Sequence, residues 1–250
     1  RVLTNKQDEI KDFKKGLVPI LWPVIIICGL ILPADFSTAA ILLIVCFTMM
    51  FIGGAKLKHL VSIVGAAFVG FLFLILINMA FPGLLPRVDT WENRMMSYGS
   101  GNKQENYQAE MAKRAVANGF LFGKGPGKGH VKNDLYSAQS DFIFASSIEE
   151  FGSIIGGIGL LILYMILFFR AIRIMNKVES KFASHLVFGL SFMLIFQSFI
   201  NMGVGVNLLP VTGQPLPLIS MGGTSILFTC VSLGIILNVS STVYNESIDV

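Results

Sequence analysis

The sequence predicts an all-α integral membrane protein, a polytopic helix bundle with six transmembrane helices and one large extracytoplasmic loop. Hydrophobic residues make up 54% of the chain against 14% charged, with a mean hydropathy of +0.71. Soluble domains run at about 45–50% apolar even with glycine counted. The charges are also collected at Arg1–Lys15, Lys56–His59, Arg87–Asp134, Arg170–Lys181 and the last few positions, and the stretches between them are apolar.

A bilayer core of about 30 Å calls for about 20 apolar residues wound as a helix, because no water is present to satisfy open backbone groups. Six segments meet or approach that length: Gly16–Leu32, Ser37–Gly54, Leu57–Phe81, Phe142–Phe169, Phe182–Met202 and Leu216–Leu237. Pro19 and Pro23 shorten and bend the first. The short links Pro33–Phe36 and Ala55–Lys56 make the first three a serpentine. Residues 82–141 are too many for a simple turn and form a loop with its own task. Lys and Arg near helix ends set orientation. With the amino terminus cytoplasmic, Lys6–Lys15, Ala55–His59 and Arg170–Lys181 are basic cytoplasmic pieces, and the carboxyl terminus is cytoplasmic too. Cys28, Cys46 and Cys230 all lie in apolar runs and behave as small hydrophobes. The chain opens on Arg1 without a signal-peptide pattern and is expected to be part of a longer protein.

The long loop carries more Lys and Arg than Asp and Glu, which on the outer face points to an anionic ligand. Within it, Asn106–Asn118 reads as an amphipathic helix lying along the membrane face, with Met111, Ala112, Ala115 and Val116 opposite Glu110, Lys113 and Arg114. Gly119–Gly129 follows, a glycine-rich turn interleaved with lysines whose amides and ammonium groups can cradle phosphate oxygens. The spacing differs from a nucleotide-binding P-loop, and a solvated hairpin is the plain alternative.

Ser137–Gly152 is the most informative stretch. Asp141 falls where loop meets span. At ~1.5 Å per residue, a continuous helix would carry Glu149 about 12 Å further into the bilayer. A carboxylate within a span is a functional candidate by default, yet Asp141 also suits a helix cap, and Glu149 or Glu150 suits a structural ion pair. Asp35, three residues before Thr38, is open to the same two readings. Asn207–Ser225 sets three prolines and three glycines before the last span, a break that must be covered by protein or line a polar cavity; Ser220 is its candidate for touching substrate.

Several motifs together resemble one family over essentially the whole chain, the FtsW, RodA and SpoVE proteins of bacterial division, elongation and sporulation. They are Pro33–Thr38, Tyr107-Gln108, Ala115–Gly119, Gly123–Gly125, Ser140–Ala145, Glu149–Gly152, Asn201–Gly203 and Leu209–Ser225. Leu135–Ser140 departs from the family's usual Leu-Pro-Glu-x-His-Thr, and Ala34 and Ser37 alter its Pro-Asp-x-Gly-Thr. Gln214–Thr224 looks more like the division member than the elongation member. The resemblance implies a ten-helix fold of which these six are the last. It also implies a peptidoglycan glycosyltransferase of the bacterial inner membrane that polymerises lipid II, with Asp141 as its essential acid. The implied partners are lipid II, a class B penicillin-binding transpeptidase and the division or elongation machinery; no nucleic acid is implied.

Polymerisation needs a base for the attacking sugar hydroxyl and cations for the departing undecaprenyl diphosphate. Asp141 suits the first role. Lys124, Lys128, Lys132, Arg87 and Arg94 suit the second, with Glu149, Glu150, Asp35 and Ser220 as further contacts. No nucleotide or redox cofactor is expected and no His or Cys cluster has metal-ligand spacing, although a divalent cation at the diphosphate fits the chemistry. A flippase for a lipid-linked precursor fits the same broken helices and embedded acids, as does a non-catalytic division scaffold.

Overall fold

A computed structural model describes residues 1–32, 34–80, 103–130 and 138–246. Among them the chain is all helix, turn and irregular segment, with no strand. The helices are α1 (Val2–Asn5), α2 (Val18–Ile31), α3 (Phe36–Ile52), α4 (Leu57–Ala80), α5 (Lys103–Gly119), α6 (Ile143–Gly152), α7 (Leu160–Lys177), α8 (Lys181–Gly205) and α9 (Gly223–Glu246). Arg87, Arg94 and Lys132 lie outside the described residues.

Among the described residues, four helical stretches are long and apolar enough to cross a membrane: Phe13–Ile31, Ile143–Lys177, Lys181–Gly205 and Gly223–Thr242. Phe36–Ile52 and Leu57–Ala67 are apolar but shorter. Large side chains left bare along these stretches, such as Leu30, Ile155, Leu163, Phe228 and Leu237, are at least 60% exposed. In water that belt would be costly; facing acyl chains it is the expected surface.

The chain divides into two compact units, 1–101 and 102–250. In the first, Pro19 occupies the opening turn of α2, where its missing N–H costs nothing, and Pro23 lies inside the helix. The start of the chain folds back, so that Leu3, Ile10, Leu17 and Leu21 bury against Met50, Ala55 and Leu60. In the second unit α7 and α8 are the central pair, α9 packs on both, and α5 packs on α6 and α8.

Two features of this second unit differ from the sequence expectation. The expected span Phe142–Phe169 is not one straight helix. Gly152 takes φ 79 and ψ 169, the chain continues as a π-helical segment Ser153–Gly159, and α7 follows. A Cβ on Gly156 would overlap the Ser147 carbonyl, and one on Gly157 would lie 3.6 Å from the Ile148 side chain. In a straight helix residues nine apart are separated by about 14 Å, so the chain doubles back at Gly152 and α6 packs antiparallel on the start of the following helix. The last helix begins at Gly223 rather than Leu216, because Pro210, Pro215 and Pro217 keep the preceding stretch irregular.

Candidate functional site

Helix α6 holds the candidate residues at its two ends. Along α8 the register is set by Asn201, whose Nδ2 donates to the Asp141 backbone carbonyl at 2.9 Å, and by Gly205, where a Cβ would meet Phe144 and Ala145. Four residues forward on one helix match four forward on the other, so α6 runs parallel to α8. Asp141 therefore lies alongside the last turns of α8, while Glu149 lies a turn past the level of its end. A single span over 142–169 was expected to carry Glu149 further along the same helix; the fold-back at Gly152 instead sets it beyond the end of α8.

At the Asp141 end, three consecutive carbonyls are held from two directions. The Gln139 carbonyl accepts from the Met221 amide at 2.9 Å, the Ser140 carbonyl from Ser220 Oγ at 2.7 Å, and the Asp141 carbonyl from Asn201. Ser220, 2% exposed, also accepts from the Leu216 amide at 2.7 Å. Its proton and one of its lone pairs are spent on backbone, so the hydroxyl fixes the turn. Asn201, 1% exposed, donates in addition to the Gln214 carbonyl at 2.7 Å, while its own Oδ1 is buried without a partner among the described residues. Gln197 reaches Gln214 Oε1 at 3.5 Å and the Pro215 carbonyl at 3.3 Å, and the Tyr164 hydroxyl donates to the Pro217 carbonyl. Residues 206–222 thus turn over the end of α8 and run back alongside it, their open backbone groups satisfied by polar side chains from α7 and α8. Irregular backbone inside a helix bundle requires such partners.

The Asp141 side chain is not a cap. Helix α6 starts after Phe142 with no side-chain cap bond, and the half-buried carboxylate accepts from Ser140 Oγ at 3.0 Å. Asp35, in the first unit, is one: it caps α3 through the Ser37 and Thr38 amides at 2.9 and 3.2 Å and takes a hydrogen bond from the Thr38 hydroxyl.

The other end of α6 answers the question of the glycine-rich turn. Because the helix breaks at Gly152, the amides of Ser153 and Ile154 lose their helical acceptors, and the carbonyls of Glu149 and Glu150 lose their donors. One loop supplies all four: Phe120 and Leu121 carbonyls accept from Ser153 and Ile154 at 2.8 and 3.3 Å, and Lys124 and Gly125 amides donate to Glu149 and Glu150, both at 2.9 Å. Gly123 at φ 76 and Gly152 approach backbone to backbone, where no side chain fits. The amides expected to cradle phosphate instead hold the protein's own carboxylates. The Gly127 amide donates to Glu150 Oε2 at 3.0 Å and the His130 amide to Glu149 Oε1 at 3.2 Å. Glu149 is fully buried, paired with Lys124 Nζ at 3.4 Å and with Asn118 Nδ2 at 3.4 Å. Lys124 is therefore engaged in an ion pair, whereas Lys128 is exposed with no ion pair among the described residues. The apolar face of helix α5 packs on the protein itself, Met111, Ala112 and Ala115 burying against Phe142, Ala145 and Val204.

A cavity of about 410 Å³ opens beside α6, lined by residues including Gln139, Ser146, Ser147, Glu150, Phe151 and Ile219. It adjoins the Asp141 turn through Gln139 and contains both polar and aromatic groups.

Fold and site together define a multi-pass membrane protein in which a re-entrant helix and a re-entrant irregular segment set a carboxylate within a helix bundle. The chain belongs to the FtsW/RodA/SpoVE family, described as cell cycle proteins, whose profile matches residues 1–245. It is 35% identical to stage V sporulation protein E of Bacillus subtilis (strain 168), over 96% of this chain and 64% of that relative. It is 34% identical to a probable peptidoglycan glycosyltransferase FtsW of Francisella salina, over 92% of this chain and 57% of that relative. The chain thus spans about three-fifths of the length of these relatives. Among solved structures, one described as a peptidoglycan synthase complex that coordinates polymerisation and crosslinking matches with a TM-score of 0.71 at 25% identity, over 97% of this chain and 68% of that one. A Thermus thermophilus rod shape determining protein RodA mutant matches in fold, with a TM-score of 0.58 at 23% identity, over 94% and 61% of the two chains.

Asn201 and Gln214 were not singled out as site residues from sequence. The available signal was Gln197 and Asn201, two amide side chains one turn apart in a largely apolar span.

Proposed function

We propose that this chain is the carboxyl-terminal portion of a peptidoglycan glycosyltransferase of the bacterial inner membrane, polymerising lipid II during cell division. In this reading it forms the last six of ten spans, with both ends of the chain cytoplasmic, and works beside a class B penicillin-binding transpeptidase. The observation that carries the activity is Asp141. Its carboxylate has no capping role, and its backbone is held at three consecutive carbonyls. Family membership and relatives named as glycosyltransferases support the reaction class.

The chemistry assigned to the chain's residues is short. Asp141 accepts the proton of the attacking sugar hydroxyl as the new glycosidic bond forms and the anomeric carbon releases undecaprenyl diphosphate. A positioned base is worth about 10²–10⁴ in rate. Lys128, exposed and without an ion pair among the described residues, is the cation of the glycine turn available to the departing diphosphate.

The test is lipid II polymerisation by full-length protein in detergent, where no membrane remains to be crossed. Wild type is expected to make glycan chains. Asp141→Asn is expected to make none while thermal stability stays near wild type, because no cap bond is lost. Glycan synthesis by Asp141→Asn at near-normal rate removes the proposed base, and failure of wild type to polymerise leaves a flippase or scaffold in its place.

A further inference from the structure

We propose that Asn201 and Ser220 are positioning residues for the proposed polymerisation, acting as one clamp that ties the re-entrant segment 206–222 to the Asp141 turn. The proposal rests on Asp141 being the base, and the experiment below separates its failure from failure of that reading.

A carboxylate on a turn is only as well placed as its backbone. The three carbonyls of the turn 139–141 accept from three donors elsewhere in the chain: the Met221 amide, Ser220 Oγ and Asn201 Nδ2. Asn201 lies 60 residues from Asp141 and Ser220 lies 80 from Ser140, so local sequence alone does not set this geometry. The two donors are also linked through one segment. Asn201 uses its amide group on Asp141 and on Gln214, and Ser220 grips Ser140 while accepting from Leu216. A shift of residues 214–221 therefore moves the turn, and with it the carboxylate.

The burial of Asn201 supports a purpose beyond local stability. It is 1% exposed and leaves its Oδ1 without a partner among the described residues, a cost that an apolar residue at the same place would avoid. An amide retained there earns its place by what its NH₂ group holds. The clamp also makes segment 206–222 a handle, because anything that binds and displaces it changes the position of the base.

Misplacing a reacting group by about 1 Å can cost on the order of 100-fold in rate. For full-length Asn201→Ala and Ser220→Ala, kcat for lipid II polymerisation is expected to fall about 10- to 100-fold with KM within threefold. The double variant should fall by less than the product of the two single losses, because both bonds hold one turn. Ser191→Ala is the control. That serine is 1% exposed and donates within its own helix to Phe188 at 3.0 Å, so kcat should stay within twofold. If Asp141→Asn is inactive while both clamp variants keep kcat within twofold of wild type, the clamp is overturned and the base stands. A loss confined to KM, or one matched by Ser191→Ala, overturns it as well. If Asp141→Asn remains active, the underlying reading fails first.

Discussion

Replacing Gly152 by alanine separates two costs that are usually confounded, backbone strain and crowding. Gly152 at φ 79 and ψ 169 occupies a region that only glycine populates readily, and an L-residue there costs on the order of 1–3 kcal/mol. Its Cβ would also overlap the Leu121 carbonyl and lie 2.6 Å from the Gly123 nitrogen, both backbone atoms that no rotamer change can move. Making room pushes the 120–125 loop off the break, which adds about 1–3 kcal/mol for overpacking and about 1 kcal/mol for each cross-loop hydrogen bond lost. With one such bond lost the sum is about 3–7 kcal/mol, comparable with the whole stability of many domains. Gly127 is the internal control: its φ is 77, but nothing lies within 4 Å of its Cβ position, so only the conformational cost of about 1–2 kcal/mol applies. At about 2–4 °C per kcal/mol for a chain of this size, Gly127→Ala should lower Tm by about 2–8 °C and Gly152→Ala by about 6–28 °C. Thermal unfolding of full-length variants in detergent, with hydrogen exchange at Ser153 and Ile154, measures both terms. Equal Tm shifts in the two variants, or protected Ser153 and Ile154 amides in Gly152→Ala, would refute the fold-back and its loop.

Three further outcomes follow from the same geometry. Lys124→Ala removes the ammonium 3.4 Å from the fully buried Glu149 and is expected to destabilise by about 3 kcal/mol, with the added change Glu149→Gln restoring part of the loss; a double variant no more stable than Lys124→Ala uncouples the pair. Lys128→Gln should weaken lipid II use at low salt and converge on wild type at high salt, and salt-independent kinetics would return Lys128 to a solvated side chain. In a cysteine-free background, a cysteine at Lys128 should react with a membrane-impermeant thiol reagent added from outside and one at Asn176 should not; the opposite pattern inverts the proposed orientation.

Periodicity and composition made the helices legible. The amphipathic reading of Asn106–Asn118 matches α5 at Lys103–Gly119, and Phe182–Met202 matches α8. The fold-back at Gly152 was not legible, because residues 142–169 read as one apolar run of sufficient length with no proline to mark a break. The sign of it was present in another form: two acids eight and nine residues after Asp141, followed by glycines at 152, 156, 157 and 159. Acids that deep in a straight span would be costly, and so many glycines mark close backbone approach rather than a lipid-facing surface. The clamp around Asp141 was hidden for a different reason. Its bonds run to main-chain carbonyls, which every residue carries, so the side chains of 139–141 hold no trace of their partners.

The fold-back also changes which acid the chemistry can use. Glu149 is fully buried but supplied with donors from Asn118, Lys124 and His130, so its charge is matched and its oxygens are occupied. Its carboxylate closes the break at Gly152, a structural task. Asp141 has one side-chain donor, Ser140, among the described residues. An ionised carboxylate offers about four lone-pair sites, so among the described residues most of the accepting capacity of Asp141 is uncommitted while its backbone is held. A general base needs that combination, a fixed position with room to accept a hydroxyl. Of Asp141 and Glu149, Asp141 fits the proposed role of base better.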